Sequence, residues 1–399
     1  HVDAACIYFV QDPGRYDVIV SEPSNPWVSG VASLFTAEFY RHVRRYLKPG
    51  GLLVQWFQLY EIDPTLVASV LRALGEQFPD YAIYAATDSD LMIVAGDAAS
   101  VHRPMTDILG VPAIANELNR INIRAIGDVE LRRIGSKAVL SPFFATYGVP
   151  ANSDFRPFLD QSAARYRFLQ TSSRELTSLG MDAIPVLGLL DDRAPTSHAP
   201  AATGQDTADR AEIVRKARYA LAFFTAAEPP EPRAIPTQFQ KDIELLRMRA
   251  VDCREAHKHD IWLHSARQVA QVVNVGLSRE DATELWSRAK NAPCYAEHAP
   301  LTRAWLDLHA AIGERDGETM HRLATRLLTE DKELTSALRV YLVTAAIAGA
   351  LRNKDPDAAA AAWKANLEKT IRGNIDNNLR ILYGQLAESG KLSGAIPVD

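Results

Sequence analysis

Tyr16 to Ser21 (YDVIVS) is a short apolar run rich in β-branched residues behind the turn Asp12-Pro13-Gly14, a pattern that predicts a strand buried on both faces. After the polar stretch EPSNPWVSG, Thr36 is placed as a helix N-cap. Glu38 then falls in the first turn, and Phe39, Val43, Tyr46 and Leu47 form one apolar face. Pro49-Gly50-Gly51 stops that helix, and Leu52 to Phe57 reads as a second strand. Asp63-Pro64 opens a further helix with Leu66, Val67, Val70, Leu71 and Leu74 facing inward. Strand, helix, strand, helix is the rhythm of an α/β protein with a parallel sheet. Tyr81–Ala85 and Leu91–Ala95 flank the turn Asp88-Ser89-Asp90, so the sheet is expected to end in an antiparallel hairpin.

The pattern weakens over residues 98–193, which hold helical patches at Ile114–Ile121 and Val129–Ile134 and an aromatic, proline-rich stretch at Asn152–Leu159. This segment is expected to pack on the sheet domain of residues 1–97 as an extension. Residues 194–209 (APTSHAPAATGQDTAD) have the composition of a linker. From residue 210 to 399 the pattern is helical, without a convincing strand. Ala310-Ala311-Ile312 recurs 35 residues later as Ala345-Ala346-Ile347, each near the end of one helix and ahead of a second, at Glu318–Leu328 and Asp357–Leu367. That spacing resembles the tetratricopeptide period, with the Trp, Gly, Tyr and Pro pattern of that repeat incomplete. It predicts an all-α helical-repeat domain, with an irregular helical bundle as the alternative.

Composition narrows the function classes. With 399 residues, 47% hydrophobic and 23% charged, the chain is globular, and 44 basic against 49 acidic residues leave a net charge of −5. No basic field exists to hold a nucleic-acid backbone or an anionic membrane. Cys6, Cys253 and Cys294 are odd in number and lack CxxC spacing, so neither a disulfide framework nor a cysteine zinc site is expected, and a reducing, cytoplasmic compartment fits. Val340–Leu351 is the longest apolar stretch, well short of the ~20 residues of a membrane span. His257, His259, Asp260 and His264 have no zinc-motif spacing and read as a polar helix end, so no metal is expected. The chain opens at His1 and runs at once into a core strand, as the C-terminal portion of a longer protein would, and a hydrophobic block farther upstream would tether that parent to a membrane.

The chemistry-bearing segment is Tyr16 to Ile62. Its first strand delivers Glu22-Pro23-Ser24-Asn25-Pro26-Trp27 at its C-terminal end, where open parallel sheets bind ligands. A carboxylate and a carboxamide three residues apart suit a substrate amine, and two prolines restrict the loop. Read on these residues alone, Glu22 and Asn25 fit a solvated turn as well as a site. Ser33-Leu34-Phe35-Thr36, Glu38-Phe39-Tyr40, Leu47-Lys48-Pro49-Gly50-Gly51 and Gln55 then follow in order, and in this the segment resembles the spermidine synthases over residues 2–96. Gln55-Trp56-Phe57-Gln58-Leu59-Tyr60-Glu61-Ile62 and Asn152-Ser153-Asp154-Phe155-Arg156-Pro157-Phe158-Leu159 are similar to the divergent bacterial type, often fused to other segments.

The resemblance implies a class I methyltransferase-like, Rossmann-like fold and a co-substrate that is decarboxylated S-adenosylmethionine or S-adenosylmethionine itself, with no tightly bound cofactor. Glu22 would take the place of the base that deprotonates the attacking amine, and Asn25 that of a second acid holding the cationic acceptor. Gln55 would lie near the substrate, and Asp3 and Ala4 against the adenine, while Trp27, read on its own, is a substrate-pocket aromatic or core packing beside the sheet. Three departures stand out: Asn25 is neutral, no proline-tyrosine element follows Ala85, and the sequence has no GxGxxG loop. Aminopropyl transfer to an amine is therefore expected of the longer protein, with this part inactive by itself. The alternatives are methyl transfer and an inactive module that binds a protein partner through the helical repeats.

Overall fold

The structure is a computed structural model that describes residues 14–28, 30–102, 106–121, 123–195, 208–226, 230–232, 234–254, 259–367, 375–392 and 396. It divides into two compact units. One comprises residues 1–110, 132–179 and 383–399, the other residues 111–131 and 180–382.

The first unit is built on a five-stranded sheet. β1 (Tyr16–Ser21) leads into α1 (Ala37–Tyr46), β2 (Leu47–Gln58), α2 (Pro64–Gln77), β3 (Asp80–Ala85) and β4 (Asp90–Gly96). The strand order is β1-β2-β4-β3-β5, with β5 spanning Arg133–Ser136. β1 and β2 run parallel, Val20 opposite Val54, while β4 is antiparallel to both β2 and β3. The mixed sheet is the one the alternation of elements and the closing hairpin predict. Caps set the helix starts: Thr36 Oγ1 accepts from Phe39 N, and Asp63 Oδ1 from Thr65 N ahead of Pro64. At the far end of α2, Lys137 Nζ donates to the carbonyls of Gly75, Phe78 and Pro79, where the helix dipole favours a cation.

Three expectations for this unit are corrected. β1 is not buried on both faces: it is the outermost strand among the described residues, and Val18 and Val20 are 51% and 69% exposed. β2 begins at Leu47 rather than Leu52, because Leu47 pairs with Tyr16 and the Pro-Gly-Gly stretch continues as strand across a register shift. The Val129–Ile134 patch is divided between a helix (Ile126–Arg132) and β5, whose Gly135 sits opposite Ile83. A three-residue pairing segment carries too little periodicity to read from pattern. α3 (Lys137–Ala145) and α4 (Phe158–Phe168) complete the unit, and the returning C-terminal segment donates from Gln385 Nε2 to Ala138 O.

The second unit is helical among its described residues. After the short helices Pro112–Arg120, Ile126–Arg132 and Val186–Leu190 come α5 (Ala208–Thr225), α6 (Thr237–Ala250), α7 (His259–Gly276), α8 (Arg279–Lys290) and α9 (Pro300–Glu314). They continue through α10 (Gly317–Glu330), α11 (Ser336–Arg352), α12 (Pro356–Asn366) and α13 (Asn377–Glu388), the last of which ends beyond the unit's boundary. α9–α10 and α11–α12 are successive hairpins. Their second helices open on Asp316, which accepts from Thr319 N, and Asp355, which accepts from Ala358 N. α10 and α11 approach closely: a Cβ on Gly349 would lie 2.7 Å from Gly317 O. Only glycine permits that distance. Both Ala-Ala-Ile triplets are buried, each on the first helix of its hairpin. No described helix is long and apolar enough to cross a membrane.

The expectation of no disulfide is also corrected: Cys253 and Cys294 are bonded, with Cα atoms 5.4 Å apart. The partners are 41 residues apart in sequence, so no local spacing announces them. The reading of a reducing compartment loses its basis in the cysteines.

His309 stands fully buried in a column of aromatic rings, its centroid 6.0 Å from Trp286 and 5.9 Å from both Trp305 and Tyr341. Burial, with the Arg267 charge adding to it, pushes its imidazole pKa down from 6.5 to about 3. Below the higher value the unfolded chain binds a proton that the native state refuses, so acid destabilises the fold. We expect a loss of about 2 kcal/mol between pH 7 and pH 5 from this residue. Urea midpoints across that range should show it, and His309→Phe should flatten the dependence. An unchanged slope in the variant would contradict the assignment.

Candidate functional site

The loop that follows β1 leaves the sheet at the C-terminal end of the parallel pair. Pro23 and Pro26 are buried and pin it down, while Glu22 and Ser24 are exposed and Asn25 is half-buried. Val28 N donates to Asn25 O at 2.9 Å, so the loop closes in a tight turn before the 3-10 segment Val31–Phe35. Glu22 therefore stands at the tip of β1 with its carboxylate open to solvent.

Gln55, opposite Ser21 in the parallel register, is fully buried beneath this loop. Its Oε1 accepts from Tyr40 Oη at 2.7 Å, and its Nε2 donates to Leu34 O at 3.0 Å and Ser21 Oγ at 3.2 Å. Burial raises the Tyr40 phenol well above its ordinary pKa, which keeps it a neutral donor. The carboxamide is thus committed to bracing the end of β1 against the 3-10 segment and α1. Replacing Gln55 by Leu leaves a buried phenol and a carbonyl without partners, each costing about 1–3 kcal/mol. We expect a loss of about 3 kcal/mol in chemical denaturation, with Gln55→Glu no substitute because it removes the donor. A stability within about 0.5 kcal/mol of wild type would contradict this bracing role.

Trp27 is half-buried, its ring edge-on to Tyr60 at 6.4 Å and covered by the Arg167 guanidinium at 5.1 Å. Arg167 Nε also lies 3.7 Å from Glu61 Oε2. Glu61 follows β2 in the left-handed region, φ 54°, and Tyr60 bridges to Ser172. The fold thus assembles Trp27, Tyr60, Glu61 and Arg167 where β1 and β2 end. Tyr60 and Glu61 follow Gln55 just past the end of β2, and nothing in their spacing marks them as site residues. Arg167, more than 100 residues away, left no local signal.

The Asn152 motif packs on the 3-10 segment and the start of α1. Asn152 Nδ2 donates to Phe35 O at 3.0 Å, its Oδ1 accepts from Leu159 N, and its backbone O accepts from Ala37 N. Asp154 N donates to Glu38 Oε2, and the Asp154 and Arg156 side chains are exposed. Asp3 and Ala4 lie outside the described residues, as does His257.

A sheet with a parallel pair and a closing antiparallel hairpin, flanked by helices and presenting a polar loop at its strand tips, is a Rossmann-like, methyltransferase-type domain. The comparisons narrow that class. Residues 2–88 match the family described as spermine/spermidine synthase domain, so this region is spermidine synthase-like. The polyamine aminopropyltransferase of Moorella thermoacetica (strain ATCC 39073 / JCM 9320) is 35% identical over 77 residues, which is 19% of this chain. The chain spans about a quarter, 27%, of that relative's length. No solved structure matches.

Proposed function

We propose that this chain is part of an aminopropyltransferase-like enzyme that moves an aminopropyl group from decarboxylated S-adenosylmethionine to an amine acceptor. What carries the reading is the position of Glu22 at the tip of a parallel strand within the region that matches the spermine/spermidine synthase family. A protonated amine has no lone pair, so a proton acceptor at the nucleophile is needed. In the proposed step the amine nitrogen attacks the methylene carbon beside the sulfonium, forming the C–N bond. The C–S bond breaks, its electron pair stays on sulfur as a neutral thioether, and the nitrogen's proton passes to Glu22. Alignment of nitrogen, carbon and sulfur supplies much of the rate. Asn25 offers the acceptor a carboxamide, and Trp27 offers an apolar wall backed by Tyr60 and Arg167. Gln55 acts as a positioning residue that holds the base of the loop.

One observation favours a second reading, methyl transfer from S-adenosylmethionine. Asn25, a neutral carboxamide, stands where an acid would attract a cationic acceptor. That weakens the case for a polyamine acceptor. The stacked hairpins α9–α12 also suit a protein partner on a tetratricopeptide-like surface. The full-length protein, given each labelled donor with putrescine or spermidine, distinguishes these readings. Methylthioadenosine as coproduct supports aminopropyl transfer, adenosylhomocysteine replaces it with methyl transfer, and no coproduct with no donor binding by calorimetry leaves the binding module.

A further inference from the structure

The helical unit contains a groove of about 410 Å³ that the proposed transferase chemistry does not use. Its walls come from Asp182–Ile184, the middle of α7, the exposed side of α11 and the start of α13. The volume falls within the range of small-molecule sites. One wall is aliphatic, with Ile184, Ala337 and Val340, and Val340 is 38% exposed.

The polar groups around it carry charges of both signs. Asp182 and Asp376 lie close enough to interact: burial and the Asp376 charge raise the Asp182 carboxyl pKa, while an Asn378 hydrogen bond opposes the rise. Arg267 acts instead on Tyr341 and the His309 behind it. Carboxylates and a guanidinium therefore line one groove. Thr344 is only 5% exposed yet lines it too, and its hydroxyl has no hydrogen-bond partner among the described residues. Arg267 likewise forms no ion pair with any described carboxylate. Among the described residues, neither the Thr344 hydroxyl nor the Arg267 guanidinium is a fully buried group left without a partner, so both are open to the groove and available to a ligand.

We propose that this groove binds a small zwitterion of the aliphatic amino-acid class, its carboxylate on Arg267, its ammonium on Asp182 and Asp376, and its side chain on Ile184, Ala337 and Val340. Guanidinium–carboxylate and ammonium–carboxylate hydrogen bonds are charge-assisted, so a ligand bearing both charges gains over one bearing either. Thr344 supplies a further hydrogen bond.

Calorimetric titration of the full chain with L-leucine and L-leucyl-L-leucine tests this, with L-leucinamide and 4-methylpentanoate as analogues lacking the carboxylate or the ammonium. We expect saturable binding of at least one zwitterion, about tenfold or more tighter than either analogue. Arg267→Gln should abolish the preference over leucinamide, Asp182→Asn the preference over 4-methylpentanoate, and Thr344→Val should weaken the zwitterion alone. Melting curves establish that each variant is folded. The proposal is overturned if neither zwitterion binds at about 10 mM, beyond the weak end of ordinary affinities, if a singly charged analogue binds as well, or if both charge variants bind like wild type. Glu22 takes no part in this binding, so the result is independent of the transferase assay.

Discussion

Glu22→Gln should lower turnover of the full-length protein by about 10²–10⁴-fold, the range that a positioned proton acceptor contributes, while donor affinity stays within about twofold. The substitution keeps size and hydrogen-bonding reach but removes the ability to take a proton. Because the side chain is exposed and makes none of the described packing contacts, the fold should be unaffected. That separates this position from Gln55, whose replacement acts through stability. The loss should be relieved at higher pH, where more of the acceptor amine is already unprotonated and needs no base. A variant that turns over at the wild-type rate at neutral pH would remove Glu22 from the mechanism, and one that loses donor binding in parallel would assign it to binding instead.

The second large effect is expected at the disulfide. Cys253 follows α6 at an exposed position with φ 55°, and Cys294 is buried in the 3-10 segment Pro293–Glu297. Cys294 N donates to Cys253 Sγ, so backbone as well as sulfur ties the two segments together. Closing a loop with a sequence separation of 41 restricts the unfolded chain by about 4 kcal/mol in the chain-entropy account. Reduction, or the pair of substitutions Cys253→Ser and Cys294→Ser, should therefore lower stability by roughly that amount, with a lower denaturant midpoint and a steeper slope, because the released denatured chain exposes more surface. Thiol titration of the denatured chain should find one free thiol before reduction and three after it, since the sequence has three cysteines. Three thiols before reduction would mean that the bond does not form.

The two units differ in how far their elements are legible as pattern. In the sheet unit, strand and helix positions follow from period and punctuation: β-branched runs, Thr36 and Asp63 as caps, and the turn between β3 and β4. These are local signals, and local signals survive in a sequence. β5 and the early start of β2 escaped because pairing with a distant strand, not periodicity, makes them strands. In the helical unit, helices and the repeated triplet were readable, but the close passage of Gly317 by Gly349 was not.

The sequence by itself determined the α/β order, the helical second half, the loop that carries Glu22 and Asn25, and the motifs by which residues 2–88 match a family. Each is written in residues near one another along the chain. Only the tertiary structure decided that β1 lies outermost among the described strands, that Gln55 is spent on Tyr40, Ser21 and Leu34, and that Arg167 covers Trp27. It alone also decided that Cys253 meets Cys294, and that Arg267, Thr344 and two aspartates share one groove. The reason is common to all of these. They are contacts between residues tens to more than a hundred positions apart, and what brings such groups together is the packing of whole elements, which no short window of sequence encodes.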